Sequence, residues 1–249
     1  MTLPMTLEIL FGGARLHLDP SGALYWPDQQ LLVVADLHFE KGSSFAASAH
    51  RMLPPHDTTQ TLADITRVIG TYGPRRVICL GDSFHDRAAS ARLDLGDLAR
   101  LQQLTGNLDW VWITGNHDPV LPDIVGGISA TAISISDLTF RHDLADGGDP
   151  APDQGPQNIV FGHFHPVALV SLAGRLLRRR CFLLGAGRLL LPAFGAYAGG
   201  LNILHPAIIE QFPAGFRVLL SERGRLYPIN ARHLRPDTDF SMSHRFPDR

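Results

Sequence analysis

The chain has 249 residues, 45% hydrophobic and 18% charged, enough apolar material for a sizeable core and too much for a disordered protein. Its 22 basic and 24 acidic side chains leave a formal charge of −2, which excludes an overall electrostatic footprint for nucleic acid or an anionic membrane; any polyanion must be met by a local patch. Two cysteines, Cys79 and Cys181, exclude a disulfide framework and fit a reducing cytoplasm. The opening MTLPMTLEILFGG lacks the features of a signal peptide, and no apolar run reaches membrane-spanning length, so neither export nor a membrane partner is expected.

In chain order, residues 1–40 alternate short β-like runs with turn residues: LEILF, ARLHL, ALYW and LLVVA, separated by GG, DPSG and PDQQ. A helix follows over HDTTQTLADITRVIGTYG, where Leu62, Ile65, Val68, Ile69 and Tyr72 share a face, Asp57 or Thr58 caps the start and Gly73 ends it. VICL reads as a strand, LDLGDLARLQQLTG as a second helix carrying Leu95, Leu98, Leu101 and Leu104, and WVWIT as the next strand. This alternation predicts an α/β protein whose middle strands run parallel, with ligands beyond the strand ends. After Pro122 the pieces are β-like (ISATAISIS, LTF, NIVF, VALVSLAG, CFLLGAG, FRVLLSERG), and they predict a second sheet stacked on the first. DLADGGDPAPDQGPQN reads as a surface loop; one domain over residues 1–235 and a frayed tail over 236–249 are expected.

Metal-type side chains stand at the ends of five apolar runs. LLVVA leads to Asp36 and His38, VICL to Asp82, WVWIT to Asn116, His117 and Asp118, LTF to His142, and NIVF to His163 and His165. Asp, Asn and Gly are ordinary turn residues, but turn chemistry does not call for histidine at four of the five places. Carboxylate, imidazole and amide donors without thiolates suit manganese, iron or zinc in an open site rather than a closed structural zinc. Seven candidate ligands, Asp36, His38, Asp82, Asn116, His142, His163 and His165, are too many for one ion. Two ions roughly 3.5 to 4 Å apart, sharing a carboxylate, would lower the pKa of a bound water towards about 7 and clamp a phosphoryl centre, which predicts phosphoester hydrolysis.

The motifs D-x-H, GD, GNHD, H and GHFH, in that order from Asp36 to His165, resemble those of the calcineurin-like metallophosphoesterases. The resemblance implies a four-layer fold, two stacked mixed β-sheets flanked by helices, with a dinuclear centre at the strand ends. It assigns Asp36, His38 and His165 to one metal, Asn116, His142 and His163 to the other, and Asp82 to both. It makes His117 the acid that protonates the leaving oxygen, Asp118 the group that orients His117, and a metal-bridging hydroxide the nucleophile. The wording ADLHFEKGSSFA, GDSFHD, GNHDP, GHFHP and PAFGAYAGGLN looks like the ligase-associated DNA damage response endonuclease (PdeM) group within this family. That likeness implies DNA, as single strands or damaged ends, as substrate, and an ATP-dependent DNA ligase or helicase as working partner; of the ions the donor set suits, manganese is the one expected. The family's second acid comes three residues after the bridging Asp; here that place holds His85, as in repair nucleases of the superfamily, where a histidine contacts the substrate. Asp86 follows, either supporting a neighbouring imidazole or standing in the loop without a catalytic role.

Other enzyme readings use the same centre on nucleotides, small phosphoesters or phosphoproteins, and a non-catalytic metal-stabilised binding module is a reading from another class. Lys41 either reaches a scissile phosphate or is a solvated lysine at a loop. Arg178, Arg179 and Arg180 either steer a phosphate backbone or form an exposed face. Phe194 and Tyr197 either line a groove for base stacking or pack a tight turn. His17, His50, His56, His205, His233 and His244 fit no ligand spacing.

Overall fold

The computed structural model describes residues 6–49, 56–144, 158–172 and 174–237; the centre of the expected surface loop, most of the expected tail, His50 and His244 lie outside them. The first half of the chain runs β1 (Leu7–Phe11), β2 (Ala14–Leu18), β3 (Leu24–Trp26), β4 (Leu31–Ala35), α1 (Lys41–Ala49), α2 (Asp57–Tyr72), β5 (Arg76–Leu80), α3 (Ala89–Arg92), α4 (Leu95–Asn107), β6 (Asp109–Ile113) and β7 (Ile128–Ala130). These strands form one seven-stranded sheet in sequence order. The β1 to β4 part is an antiparallel meander and β4 to β7 are parallel.

The second half runs β8 (Ala132–Ile135), β9 (Leu138–Arg141), β10 (Asn158–Phe161), β11 (Pro166–Leu172), β12 (Arg175–Gly185), β13 (Arg188–Leu190), β14 (Leu201–Asn202), α5 (Pro206–Ile209), β15 (Phe216–Glu222), β16 (Arg225–Ile229) and β17 (Leu234–Arg235). Its strands form a mixed ten-stranded sheet. ISATAISIS, expected whole in the second sheet, is divided: Ile128–Ala130 closes the first sheet beside β6, and Ala132–Ile135 opens the second beside β9. Its alternation is that of an exposed edge in both places, so pattern alone could not separate them.

Strand alternation places the cores. In β4 every residue is buried, with Leu31, Val33 and Ala35 facing the other sheet and Leu32 and Val34 facing the helices. The layer between the sheets joins Leu16, Leu24, Ile78 and Ile113 to Phe140, Val160, Phe182 and Leu191. The outer face of the first sheet packs Cys79, Trp110 and Trp112 under Leu62, Ile65 and Val68 of α2 and Leu101 of α4. The outer face of the second sheet is covered thinly, by Ile203, Ile208 and Phe212. This is the four-layer α/β arrangement of two stacked mixed sheets. No helix among the described residues is long and apolar enough to cross a membrane.

Gly73 ends α2 as expected, in a left-handed conformation with its N–H donated to Ile69 O at 2.8 Å. The start differs. Asp57 and Thr58 lie inside the first turn, and their side chains serve the neighbouring segment: Asp57 Oδ2 accepts from Gly42 N at 3.0 Å and Thr58 Oγ1 from Glu40 N at 2.9 Å. Capping residues therefore anchor α1, a helix the sequence pattern did not announce. In α4 Asp94 caps through Gly96 N at 2.8 Å, and Leu101 is buried, but Leu95 is 82% exposed.

Candidate metal centre

The parallel strands β4, β5 and β6 end side by side, and β9 and β10, parallel to one another in the second sheet, end against them. The five segments that follow carry the candidate ligands, so the strand-end pattern in the sequence becomes one cluster. Asp36, His38, Asp82 and His165 each offer a donor atom within 4.8 Å of the others, and so do Asp82, His142 and His163. His38 Nε2 faces His165 Nε2 at 3.1 Å, and Asp36 Oδ1 lies 3.5 Å from His165 Nε2. On the other side His142 Nε2 lies 2.9 Å from Asn116 Oδ1, 3.0 Å from His163 Nδ1 and 3.5 Å from Asp82 Oδ2. Asn116, predicted for the second group, thus joins it.

Backbone strain is concentrated here. Asp36, His38, Asp82, His163 and His165 all have positive φ, between 45° and 75°. Each non-glycine residue held there costs on the order of 1 kcal/mol or more, and such residues gather where function over-determines the backbone. The supports are visible. Asp36, fully buried, accepts from His163 N at 3.1 Å on both oxygens, and Asp82 Oδ1 accepts from His117 N at 2.9 Å. Gly115 is required because a Cβ there would collide with Asp82 Oδ1.

The donors suit a divalent cation. His142 Nδ1 donates to Leu80 O at 3.0 Å, which leaves Nε2 with its lone pair turned into the cluster. Burial, with the adjacent His165, pushes the His38 imidazole down to about 2, so it stands neutral, as a ligand must. Burial opposes charge on both His142 and Asp82. Their hydrogen bond prevails, moving His142 up to about 9 and holding Asp82 well below the usual carboxylate range. A cation among these atoms would take the place of the His142 proton. Nitrogen and oxygen donors without thiolate fit manganese, iron or zinc.

Three residues stand around the cluster without joining the ligand groups. His117 Nδ1 donates to His85 O at 2.8 Å, and its Nε2 points inward, 4.0 Å from Asp82 Oδ2. His85 stacks on His117, rings 5.3 Å apart at 18°, and its Nδ1 is 3.4 Å from His38 Nδ1. Asp118, expected to orient His117, has another task. It is buried and accepts four backbone N–H bonds, from Asp82 at 3.1 Å, Ser83 at 2.7 Å, Phe84 at 3.1 Å and Gly115 at 3.0 Å. Its carboxylate turns away from the imidazole to tie the GD loop to the GNHD loop; burial raises its pKa to about 6 against the pull of those donors.

Asp86 pairs with Arg92 through two contacts, 3.0 and 2.7 Å, and with Ala88 N at 2.9 Å, so it anchors its own loop. Lys41 opens α1 instead of standing in a loop. The arginine run does not offer three free cations: Arg178 binds Asp237 and Gly200 O, Arg179 binds Glu222, and Arg180 binds Gly195 O. Phe194 is buried in the core and unavailable for stacking. Its loop instead braces the first motif, with Phe194 N donating to Ala35 O at 2.8 Å and Gly195 N to Asp36 O at 3.2 Å. Gly195 is needed because a Cβ there would strike Leu37 O and come within 2.7 Å of Leu37 C. Phe45, stacked on His85 at 5.8 Å and 28°, was not singled out from sequence; lying in a Ser/Ala-rich stretch, it gave no pattern.

Residues 30–180 match the calcineurin-like phosphoesterase family. Among solved structures, nuclease MPE of Pseudomonas putida is similar at a TM-score of 0.65 and 28% identity, covering 90% of this chain and all of that one. Yfce, a phosphoesterase from E. coli, aligns at a TM-score of 0.38 and 15% identity over 76% of this chain and 87% of that one. No curated protein matches. With the family matched over more than half its length, the chain belongs to the calcineurin-like phosphoesterases and is a metal-dependent hydrolase of phosphoester bonds.

Proposed function

We propose that the protein is a dinuclear phosphodiesterase that cleaves DNA. The observation that carries this reading is the shared position of Asp82 between two donor groups built from four strand ends, with Asn116 from a fifth beside the second. The similarity to a nuclease over nine-tenths of the chain favours a nucleic acid over a small ester, and the likeness of the motifs to the ligase-associated group favours DNA. Asp36, His38 and His165 would hold one ion, Asn116, His142 and His163 the other, and Asp82 would be shared by both. Divalent ions held there would supply an activated water and neutralise charge developing on the phosphoryl oxygens.

The remaining chemistry falls to side chains of the chain. His117 delivers a proton from Nε2 to the leaving oxygen; its Nδ1–H is committed to the His85 carbonyl, which fixes the ring's orientation. His85, half-buried beside His38 and His117, faces the substrate, and Asp118 holds the two loops that carry them in register. Manganese as resident ion, single strands or damaged ends as substrate, a DNA ligase or helicase as partner, a cytoplasmic setting and one catalytic domain over residues 1–235 complete the proposal. Manganese rests on the nitrogen and oxygen donor set, the substrate and the partner on the likeness of the motifs to the ligase-associated group, and the cytoplasmic setting on two buried free cysteines.

The test is manganese-dependent cleavage of a single-stranded oligonucleotide beside a bis-aryl diester and an aryl monoester, with Asp82→Asn and His117→Ala as controls. Cleavage of the oligonucleotide and the diester by the wild type, abolished in Asp82→Asn, is expected. Cleavage of the monoester alone would overturn the nuclease reading.

A further inference from the structure

Helix α1 opens beside the centre and is held from two sides. Asp57 and Thr58 of α2 take the N–H groups of Gly42 and Glu40. On the other side Ser43 Oγ accepts from Arg92 Nε at 2.9 Å, and Arg92 is locked to Asp86, next to His85. The first turn of α1 and the loop carrying His85 are thereby one piece.

Lys41 and Phe45 project from that piece one helical turn apart, on the same face. Phe45 stacks on His85, His85 stacks on His117, and the Lys41 ammonium lies 5.9 Å from the Phe45 ring centroid. A row of three rings therefore runs outward from the catalytic imidazole and ends at a cation. The ammonium is partly buried, and burial lowers its own pKa, with Asp57 opposing. None of the ion pairs among the described residues includes it, and the Asp57 carboxylate is engaged by Gly42. A half-buried ammonium that makes no ion pair among the described residues, its burial offset only in part by Asp57, gains when an anion reaches it.

We propose that Lys41 binds a backbone phosphate flanking the scissile one, so that the row from His117 to Lys41 is the track along which a single strand lies. Two rings separate the lysine from the imidazole that serves the leaving oxygen, so the phosphate reached is a neighbour of the scissile one. A small aryl ester has no such phosphate. Lys41 thus distinguishes polymer from small ester, an inference that rests on the nuclease reading above.

The test compares wild type, Lys41→Ala and Lys41→Arg, with manganese, on a single-stranded oligonucleotide and a bis-aryl diester at several salt concentrations. Loss of one charge-assisted phosphate contact should raise the oligonucleotide KM about tenfold in Lys41→Ala, several times more than any change in diester KM. The slope of log(kcat/KM) against log salt should become shallower by about 0.7, and Lys41→Arg should restore both. An unaltered oligonucleotide KM and salt slope would overturn the proposal, and so would equal losses on both substrates, which indicate damage to the centre. A wild type that cleaves no DNA would instead overturn the nuclease reading, an outcome seen before any variant is compared.

Discussion

His117 Nδ1 donates to the carbonyl oxygen of His85 at 2.8 Å, so the imidazole facing the metal centre is oriented by backbone and not by a carboxylate. With that proton committed, only Nε2 is free to serve a leaving oxygen. Proton transfer of this kind contributes about 10²- to 10⁴-fold, and matters most when the leaving group is a strongly basic alkoxide. His117→Ala should therefore slow oligonucleotide cleavage by about 10²-fold or more, and slow cleavage of an aryl ester, whose leaving group departs without a proton, far less. Single-turnover rates on the two substrates check this; equal losses would argue against a proton donor.

Asp118 supports structure, and its substitution should show it. Asn in its place keeps one carbonyl oxygen for Asp82 and Gly115 but sets an NH₂ group against the N–H groups of Ser83 and Phe84, or the reverse. Asp118→Asn should lose about 2–3 kcal/mol of stability in urea unfolding. Unchanged stability with a lower kcat would return Asp118 to the role of orienting His117.

The contact of Gly195 with the first motif is equally direct. In Gly195→Ala the new methyl must displace the Leu37 carbonyl, and with it the backbone between Asp36 and His38. A loss of about 1–3 kcal/mol and weakened manganese binding are expected. Gly199→Ala, four residues along in open space, is the control. Titration calorimetry giving the same manganese affinity for both variants would separate the loop from the site.

The Asp86–Arg92 pair carries a pH signature. The Arg92 guanidinium holds the Asp86 carboxyl down to about 2, below the ordinary 3.8. A carboxyl depressed in the folded state stabilises above its unfolded pKa, and that stability disappears as pH falls through the folded value. Asp86 is 35% exposed, so screening reduces the contribution to about 1 kcal/mol or less. The stability gap between wild type and Asp86→Asn should be constant near neutrality and close between about pH 4 and pH 2. A gap that persists unchanged at pH 2 would contradict this.

The ligand pattern was legible because each candidate follows an apolar run, and in a layered α/β fold such runs end together. The split of the ligands into two groups around Asp82 also followed from the family resemblance. What sequence could not carry was the direction of a side chain whose partners are backbone atoms. Asp118 beside His117 looks like an acid orienting a base, but its partners are the N–H groups of residues more than thirty positions earlier as well as Gly115. The arginines of β12 look like a free basic patch because Asp237, Glu222 and the Gly195 carbonyl reach them from distant segments. Residues Asp57 and Thr58 have the chemistry of caps, yet they serve a helix other than their own. Positive φ at five candidate ligands left no mark on composition at all.

The central claim is that Asp82 joins two metal sites. Equilibrium titration of the metal-free protein with manganese, read as ions bound per folded chain, tests it most directly. Two ions per wild-type chain are expected, with Asp82→Asn weakening both while His117→Ala retains both. One ion per wild-type chain, or an Asp82→Asn protein that keeps two at undiminished affinity, would contradict it.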